Sequence, residues 1–174
     1  MSNWPLLSVL IWLPILGGAL VLALGNARAG AARWLGFAVA VLTFVFSLGL
    51  LSGFDYANPG LQFIESHAWI PSFDIHYNLG ADGIAVALLL LNTLITVLTL
   101  AGAWGSVNKR VAQYVAAFLI LEGLTNGIFA ASDAVLFYVF FEAMLIPMFL
   151  IIGIWGGPRR IYASLKFFLY TFLG

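Results

Sequence analysis

Residues 133–154 read DAVLFYVFFEAMLIPMFLIIGI, an apolar run whose only interior carboxylate is Glu142 and whose only proline is Pro147. At the rise of an α-helix the run extends about 33 Å, enough to cross a hydrocarbon core of ~30 Å. Four more runs of this kind lie upstream: Trp4–Leu24, Trp34–Leu51, Gly83–Ala103 and Val111–Ala130. A sixth starts near Ile161 and stops at Gly174 after roughly 21 Å of helix, short of a full crossing. The pattern predicts an all-α polytopic membrane protein, one membrane domain over residues 1–174, with five complete transmembrane helices and a truncated sixth. It also predicts that the chain is the N-terminal part of a longer protein, with partner residues beyond Gly174. Composition agrees: of 174 residues 63% are hydrophobic and 8% charged, against roughly a quarter charged in a soluble domain.

Several function classes fall away at this level. Seven Lys and Arg against seven Asp and Glu leave no basic surplus for a phosphate backbone, so nucleic acid is not a predicted partner. The absence of cysteine removes disulfides, thiolate metal sites and iron–sulfur ligation. The two histidines, His67 and His76, fall between the second and third runs, where they cannot serve as axial haem ligands inside helices and lack companions for zinc. No Gly-rich phosphate loop joins a strand to a helix. No Lys or Arg precedes the first apolar run, and that run is long enough to span a bilayer. It is therefore read as a retained helix and not as a signal peptide.

Cation positions set an expected orientation. Arg28 and Arg33, Lys109 and Arg110, and Arg159 and Arg160 all fall in alternate connections, which places those three on the cytoplasmic side and the N-terminus outside. The opposite side receives the 54–82 segment, with Asp55, Glu65, Asp74 and Asp82 and no cation. Within it, Phe73, Ile75, Tyr77 and Leu79 alternate with Asp74, His76 and Asn78, a strand pattern. The run Gln62–Trp69 precedes it with Pro71 and Ser72 between, predicting a small external β-hairpin over the helices.

An ionised carboxylate at bilayer mid-depth costs from ~3 to well over 10 kcal/mol depending on reference state, so its presence points to function. Glu142 stands about 13 Å into helix five and Glu122 about 16 Å into helix four from the opposite face. Both lie ten residues from Ser132, which predicts equal depth on adjacent antiparallel helices and makes both candidate proton-relay residues. The alternative for each is a neutral, hydrogen-bonded carboxyl that binds helices together. Pro147 removes one helical hydrogen bond and frees a carbonyl near the relay, although such kinks also serve structure alone. The stripes Asn92, Thr96, Thr99 and Glu122, Thr125, Asn126, and the pairs Gly123/Gly127 and Gly153/Gly157, are read as packing features. Lys166, about 9 Å into helix six, is expected to snorkel toward the interface.

The segments WIP (Trp69–Pro71), YNLGADGIAVALLLLN (Tyr77–Asn92), LFYVFFEAMLIPMFLIIGIWGG (Leu136–Gly157) and RIYASLKFFLYTFLG (Arg160–Gly174) closely resemble the M subunit, or chain 4, of proton-translocating NADH:quinone oxidoreductase, respiratory complex I. The resemblance implies an antiporter-like helix bundle of about fourteen helices with inverted repeats. It implies that Glu142 is the proton-relay residue of helix five, paired with a lysine on helix seven beyond Gly174. A lateral chain of charged residues at mid-depth is implied as well, for which Glu122 is the candidate. The same resemblance implies no cofactor on this chain, with NADH, FMN, iron–sulfur clusters and quinone on other subunits. Its implied partners are the other membrane subunits of complex I, and its implied location a bacterial inner membrane. Two other functions stay open: a subunit of a multisubunit cation/proton antiporter, and a structural anchor, for which a mid-membrane carboxylate has no evident use.

Overall fold

The computed structural model describes residues 5–58, 60–70 and 75–173. In chain order these form α1 (Leu6–Leu24), a short 3-10 turn (Asn26–Arg28), α2 (Ala29–Gly53), β1 (Gln62–Ile70), β2 (Ile75–Ala81), α3 (Gly83–Gly102), α4 (Val111–Ala130), α5 (Ala134–Trp155) and α6 (Arg160–Leu173). The first five helices are each long and apolar enough to cross a membrane, so the chain is an integral, multi-pass membrane protein. Trp4, the expected first helical residue, and Pro71, Ser72, Phe73 and Asp74, expected at and after the hairpin turn, lie outside the described residues, as does Gly174.

α2 starts at Ala29, five residues before the expected Trp34. Charge had argued for a loop there, but three alanines and an arginine favour helix in AGAAR and outweigh Gly30. Arg33 carries its charge out to the interface, where its guanidinium donates to the Val107 carbonyl and, at 3.3 Å, to Asn108 Oδ1.

α4 is the central element, packed against α1, α2, α3 and α5. Two of its glycines allow this. A Cβ on Gly123 would sit 2.4 Å from the Ile11 carbonyl oxygen of α1, and one on Gly127 would sit 2.7 Å from the Phe140 ring of α5. Bare backbone at these positions is what lets three helices meet closely. Of the second small-residue pair only Gly153 faces a neighbour, Ser164 of α6 at 3.5 Å. Gly157 lies past the end of α5 with nothing within 4 Å of its would-be Cβ.

Pro14 lies inside α1 and has no N–H to give the Leu10 carbonyl. The Asn126 side chain of α4 takes that carbonyl instead, donating to it at 2.9 Å. Asn92 of α3 completes the lock: its Nδ2 donates to Asn126 Oδ1 at 2.9 Å and to the Glu122 carbonyl at 3.1 Å. Sequence spacing had suggested only stripes for helix packing. The structure joins α1, α3 and α4 through one fully buried amide.

The hairpin is antiparallel, with Ser66 opposite Asn78 and His67 opposite Tyr77. A register shift between Gln62 and Glu65 coincides with a left-handed Phe63, φ 55°. Such a bulge bends the strand and re-aims its side chains. Here Glu65 caps α1, which has no side-chain cap of its own. Its carboxylate accepts from the backbone N–H of Leu7 at 2.8 Å and of Ser8 at 3.2 Å, and from the Ser8 hydroxyl. A negative group at a helix N-terminus also complements the helix dipole. On the other strand Leu79 is buried, and the Asn78 carbonyl accepts from Ser132 N–H in the α4–α5 connection at 3.0 Å. The external hairpin thus ties the start of α1 to the start of α5. Glu65→Ala is expected to cost about 1–2 kcal/mol at that cap and to speed amide hydrogen exchange at Leu7 and Ser8. Unchanged exchange there would mean that the cap adds nothing to the strand pairing.

Candidate functional site

α5 is started by Asp133, whose carboxylate accepts from Val135 and Leu136 N–H at 2.9 and 3.0 Å. From that cap it runs antiparallel to α4, with Phe140 against Gly127 and the Met144 sulfur 3.7 Å from Thr125 Oγ1. These contacts set Glu142 level with Asn126. Glu122 lies one turn, about 6 Å, further from the connection. An offset of one turn stays within the near-equality of depth expected from the sequence, for which two turns, about 11 Å, would be the contradicting difference. Ala131 and Asp133 are both extended, and the Ser132 amide is drawn to the hairpin, so the pairing of the two helices is centred nearer Ala134 than Ser132.

The two carboxylates stand in different surroundings. Glu122 is 1% exposed, on the same face of α4 as Asn126, and neither of its oxygens has a hydrogen-bond partner among the described residues. Asn126 makes no bond to it: its carbonyl accepts from Asn92 and its amide donates to the Leu10 carbonyl. A buried polar group is normally satisfied, so this orphaned carboxyl is the most unusual polar feature of the interior. Glu142 is half-buried, with Tyr138, one turn earlier on α5, near enough to interact with its carboxylate. The structure sets the two glutamates on neighbouring helices, one turn apart in depth, but gives them no direct contact.

Pro147 is buried, and without an N–H it leaves the Ala143 carbonyl without its helical donor. By the same α4–α5 register it stands near the level of Glu122. Two apolar grooves open on this flank between α1, α4 and α5. The outer one, about 560 Å³, is lined by Trp12, Tyr77, Leu124, Val139 and Ala143, with His67 at its rim. The inner one, about 400 Å³, reaches Pro147 from the opposite end. Lys166 lies alongside its own helix, with Nζ 5.8 and 5.7 Å from the ring centroids of Tyr162 and Tyr170, where cation–π attraction holds it. Among the described residues no three metal-binding side chains come together.

Sequence reasoning missed two polar groups that shape the site. Asn126 had a readable signal, since Pro14 four residues after Leu10 announces a carbonyl in need of a donor. Glu65 had none, because its partner is a backbone 57 residues away.

Residues 131–174 match the family described as NADH:quinone oxidoreductase/Mrp antiporter, TM. The chain is 53% identical over 173 residues to NADH-quinone oxidoreductase subunit M of Rhodobacter capsulatus, covering 97% of this chain and 33% of that protein. It is 41% identical over 169 residues to NADH-ubiquinone oxidoreductase chain 4 of Arabidopsis thaliana, covering 97% and 34%. Among solved structures it superposes with a TM-score of 0.80 and 32% identity on a chain of respiratory complex I from Thermus thermophilus with bound NADH, covering 96% of this chain and 33% of that one. A chain of an archaeal membrane-bound sulfane sulfur reductase shares the fold at a TM-score of 0.71 and 18% identity, over 97% of this chain and 25% of that one. The chain thus spans about a third of the length of the curated relatives it matches.

Proposed function

We propose, from the similarity along nearly its whole length to the subunit M and chain 4 proteins of NADH-quinone oxidoreductase, that the chain works as part of a proton-translocating membrane subunit of that complex. The observation that carries the reading is the pair of carboxyls on adjacent membrane helices: Glu122, buried with no hydrogen-bond partner among the described residues, and Glu142 on the next helix. A carboxyl in such a place takes up or gives up a proton when a charge or a water file approaches or withdraws. Glu142 is the relay, half-buried and open to the flank where a cation from another segment can reach it. Glu122 is a second station, one turn deeper along α4. Pro147 supports them by leaving a free carbonyl on α5.

In this reading electron transfer takes place elsewhere. NADH, FMN, iron–sulfur clusters and quinone belong to other subunits, and this chain meets other membrane subunits and the lipid bilayer. The membrane is the bacterial inner membrane, with the N-terminus and the hairpin on its non-cytoplasmic face. Because the chain has no cysteine, single introduced thiols report its topology. A Cys at Ser66 is expected to react with an impermeant reagent from outside, and one at Ser106 only after the membrane is opened. The reverse labelling would invert the orientation.

A subunit of a multisubunit cation/proton antiporter is the second reading, favoured by the shared description of the matching family. Deleting the full-length gene and restoring it separates the two. Loss and return of NADH-driven proton uptake in membrane vesicles supports the first reading. Loss and return of cation/proton exchange, with NADH-driven uptake intact, supports the second.

A further inference from the structure

Where α2, α3 and α4 meet, the interior is divided into two apolar clusters with a polar layer between them. The outer cluster includes Leu50, Leu89 and Ala130, and the inner one Ala40, Leu100 and Leu119, one residue from each helix in both cases. Between these levels lie Thr43 and Ser47 of α2, Thr93 and Thr96 of α3, and Glu122 and Asn126 of α4, all buried.

Three of these side chains converge at one level. Gly36 of α2 packs on Val115 of α4 with no room for a Cβ between them. The two helices cross in the same direction, so seven residues beyond that contact Thr43 stands level with Glu122. On α3, which runs the opposite way, the Thr93 hydroxyl lies 2.9 Å from Ser47 Oγ. One turn inward from this pair come Thr96 on α3 and Thr43 on α2. Asn92, a turn before Thr96, fixes α3 against α4 through its bond to the Glu122 carbonyl. Thr43, Thr96 and Glu122 thus form a triad enclosed by this chain's own helices, on the α2 and α3 side of α4.

The hydrogen bonds of the triad do not close on themselves. Each threonine hydroxyl gives its one proton to its own helix, Thr43 to the Val39 carbonyl at 2.9 Å and Thr96 to the Asn92 carbonyl at 3.1 Å. Both therefore turn only lone pairs inward. The Glu122 oxygens have no hydrogen-bond partner among the described residues, so neither hydroxyl meets them directly. An ionised carboxylate would add acceptors to a triad that has no donor, whereas a protonated one has an O–H to give. We propose that protonated Glu122, Thr43 and Thr96 together bind one water molecule. The Glu122 O–H donates to the water oxygen, and the two hydrogens of the water go to the two threonine oxygens. That arrangement uses every free donor and gives the water about three hydrogen bonds, the usual number for a buried one. A hard cation is the competing occupant, but it takes about six oxygen ligands and the triad offers only the carboxyl pair and two hydroxyls. On the relay reading of Glu122 given above, the water directs its proton toward α2 and α3.

The test is infrared spectroscopy of the complete assembled complex, in which subtracting the E122Q spectrum isolates the carboxyl C=O stretch of Glu122. The expected band is that of a protonated, hydrogen-bonded carboxyl. T43V/T96V keeps the side-chain shapes but removes the acceptors of the water, and is expected to move the band to the higher frequency of an unbonded carboxyl. The single variants T43V and T96V are expected to move it part of the way, and they stand in if the pair does not assemble. T43S/T96S keeps both hydroxyls at the loss of both methyl groups, so it is expected to leave the band in place, where a packing role for the threonines would not. The band is expected to be the same in sodium and in choline buffer. An ionised Glu122, a band that the valine variants leave unmoved, or a band seen only without sodium would each overturn the proposal. The spectrum is taken at rest, so proton uptake by the E122Q complex bears on the relay reading alone.

Discussion

Gly123→Val is expected to prevent α1 from seating on α4 and to deplete the full-length protein from assembled complex by tenfold or more. The position has no room for a side chain. A Cβ would meet the Ile11 carbonyl oxygen at 2.4 Å and the Ile15 side chain at 2.6 Å. The Ile11 contact is backbone and cannot rotate away, so relief requires the two helices to move apart. Moving them stretches the neighbouring bond from Asn126 to the Leu10 carbonyl. Because Pro14 has no N–H to offer, that carbonyl would then be left without a donor in a nonpolar interior, a further cost of about 1–3 kcal/mol. Overpacking and an unsatisfied polar group together exceed what a membrane helix contact supplies. Blue-native electrophoresis of membranes from cells carrying the variant measures the outcome. Gly123→Ala, which adds only the Cβ, is expected to fall between the parent and the valine variant. Normal assembly of Gly123→Val would mean that the α1–α4 contact is looser than described.

Glu142→Gln is the substitution with the largest expected effect on activity. Glutamine keeps the size of the side chain and a carbonyl that Tyr138 can reach, so the fold has no reason to change. What is lost is the exchangeable proton. In the assembled complex NADH:quinone activity is expected to fall by about tenfold or more, because electron transfer that is coupled to a blocked relay slows with it. Glu142→Asp keeps a titrating group one methylene shorter and is expected to retain part of the rate. Glu122→Gln is expected to do less harm: it keeps the size of a side chain whose oxygens have no hydrogen-bond partner among the described residues, and the titrating group at Glu142 remains.

The helices were legible because hydropathy over twenty residues is a strong signal and the bilayer fixes the length it must have. The hairpin was legible from alternation in Ile75–Leu79, where Leu79 is buried and Tyr77 reaches Ser8 at 3.1 Å. Less legible was anything that depended on how one helix meets another. Counting from Ser132 gave nearly equal depths for the two glutamates, and the extended Ala131–Asp133 connection leaves an offset of about one turn that counting alone does not resolve. Arg28 and Arg33 suggested a loop up to Trp34, but a long cationic side chain can leave the membrane while its backbone stays helical. Among the described residues α4 packs against four helices and α5 against α4 and α6, a difference in packing between the two glutamates' helices that spacing alone did not show. The cap from Glu65 and the lock through Asn126 are long-range pairings, each fixed only once the chain has folded.

The central claim is that a proton passes through Glu142, and its most direct test is NADH-driven proton uptake by membrane vesicles containing the Glu142→Gln complex, normalised to assembled complex. The account predicts that uptake falls to a small fraction of the parent value while the amount of complex is unchanged. Uptake at the parent rate by the assembled variant would contradict it.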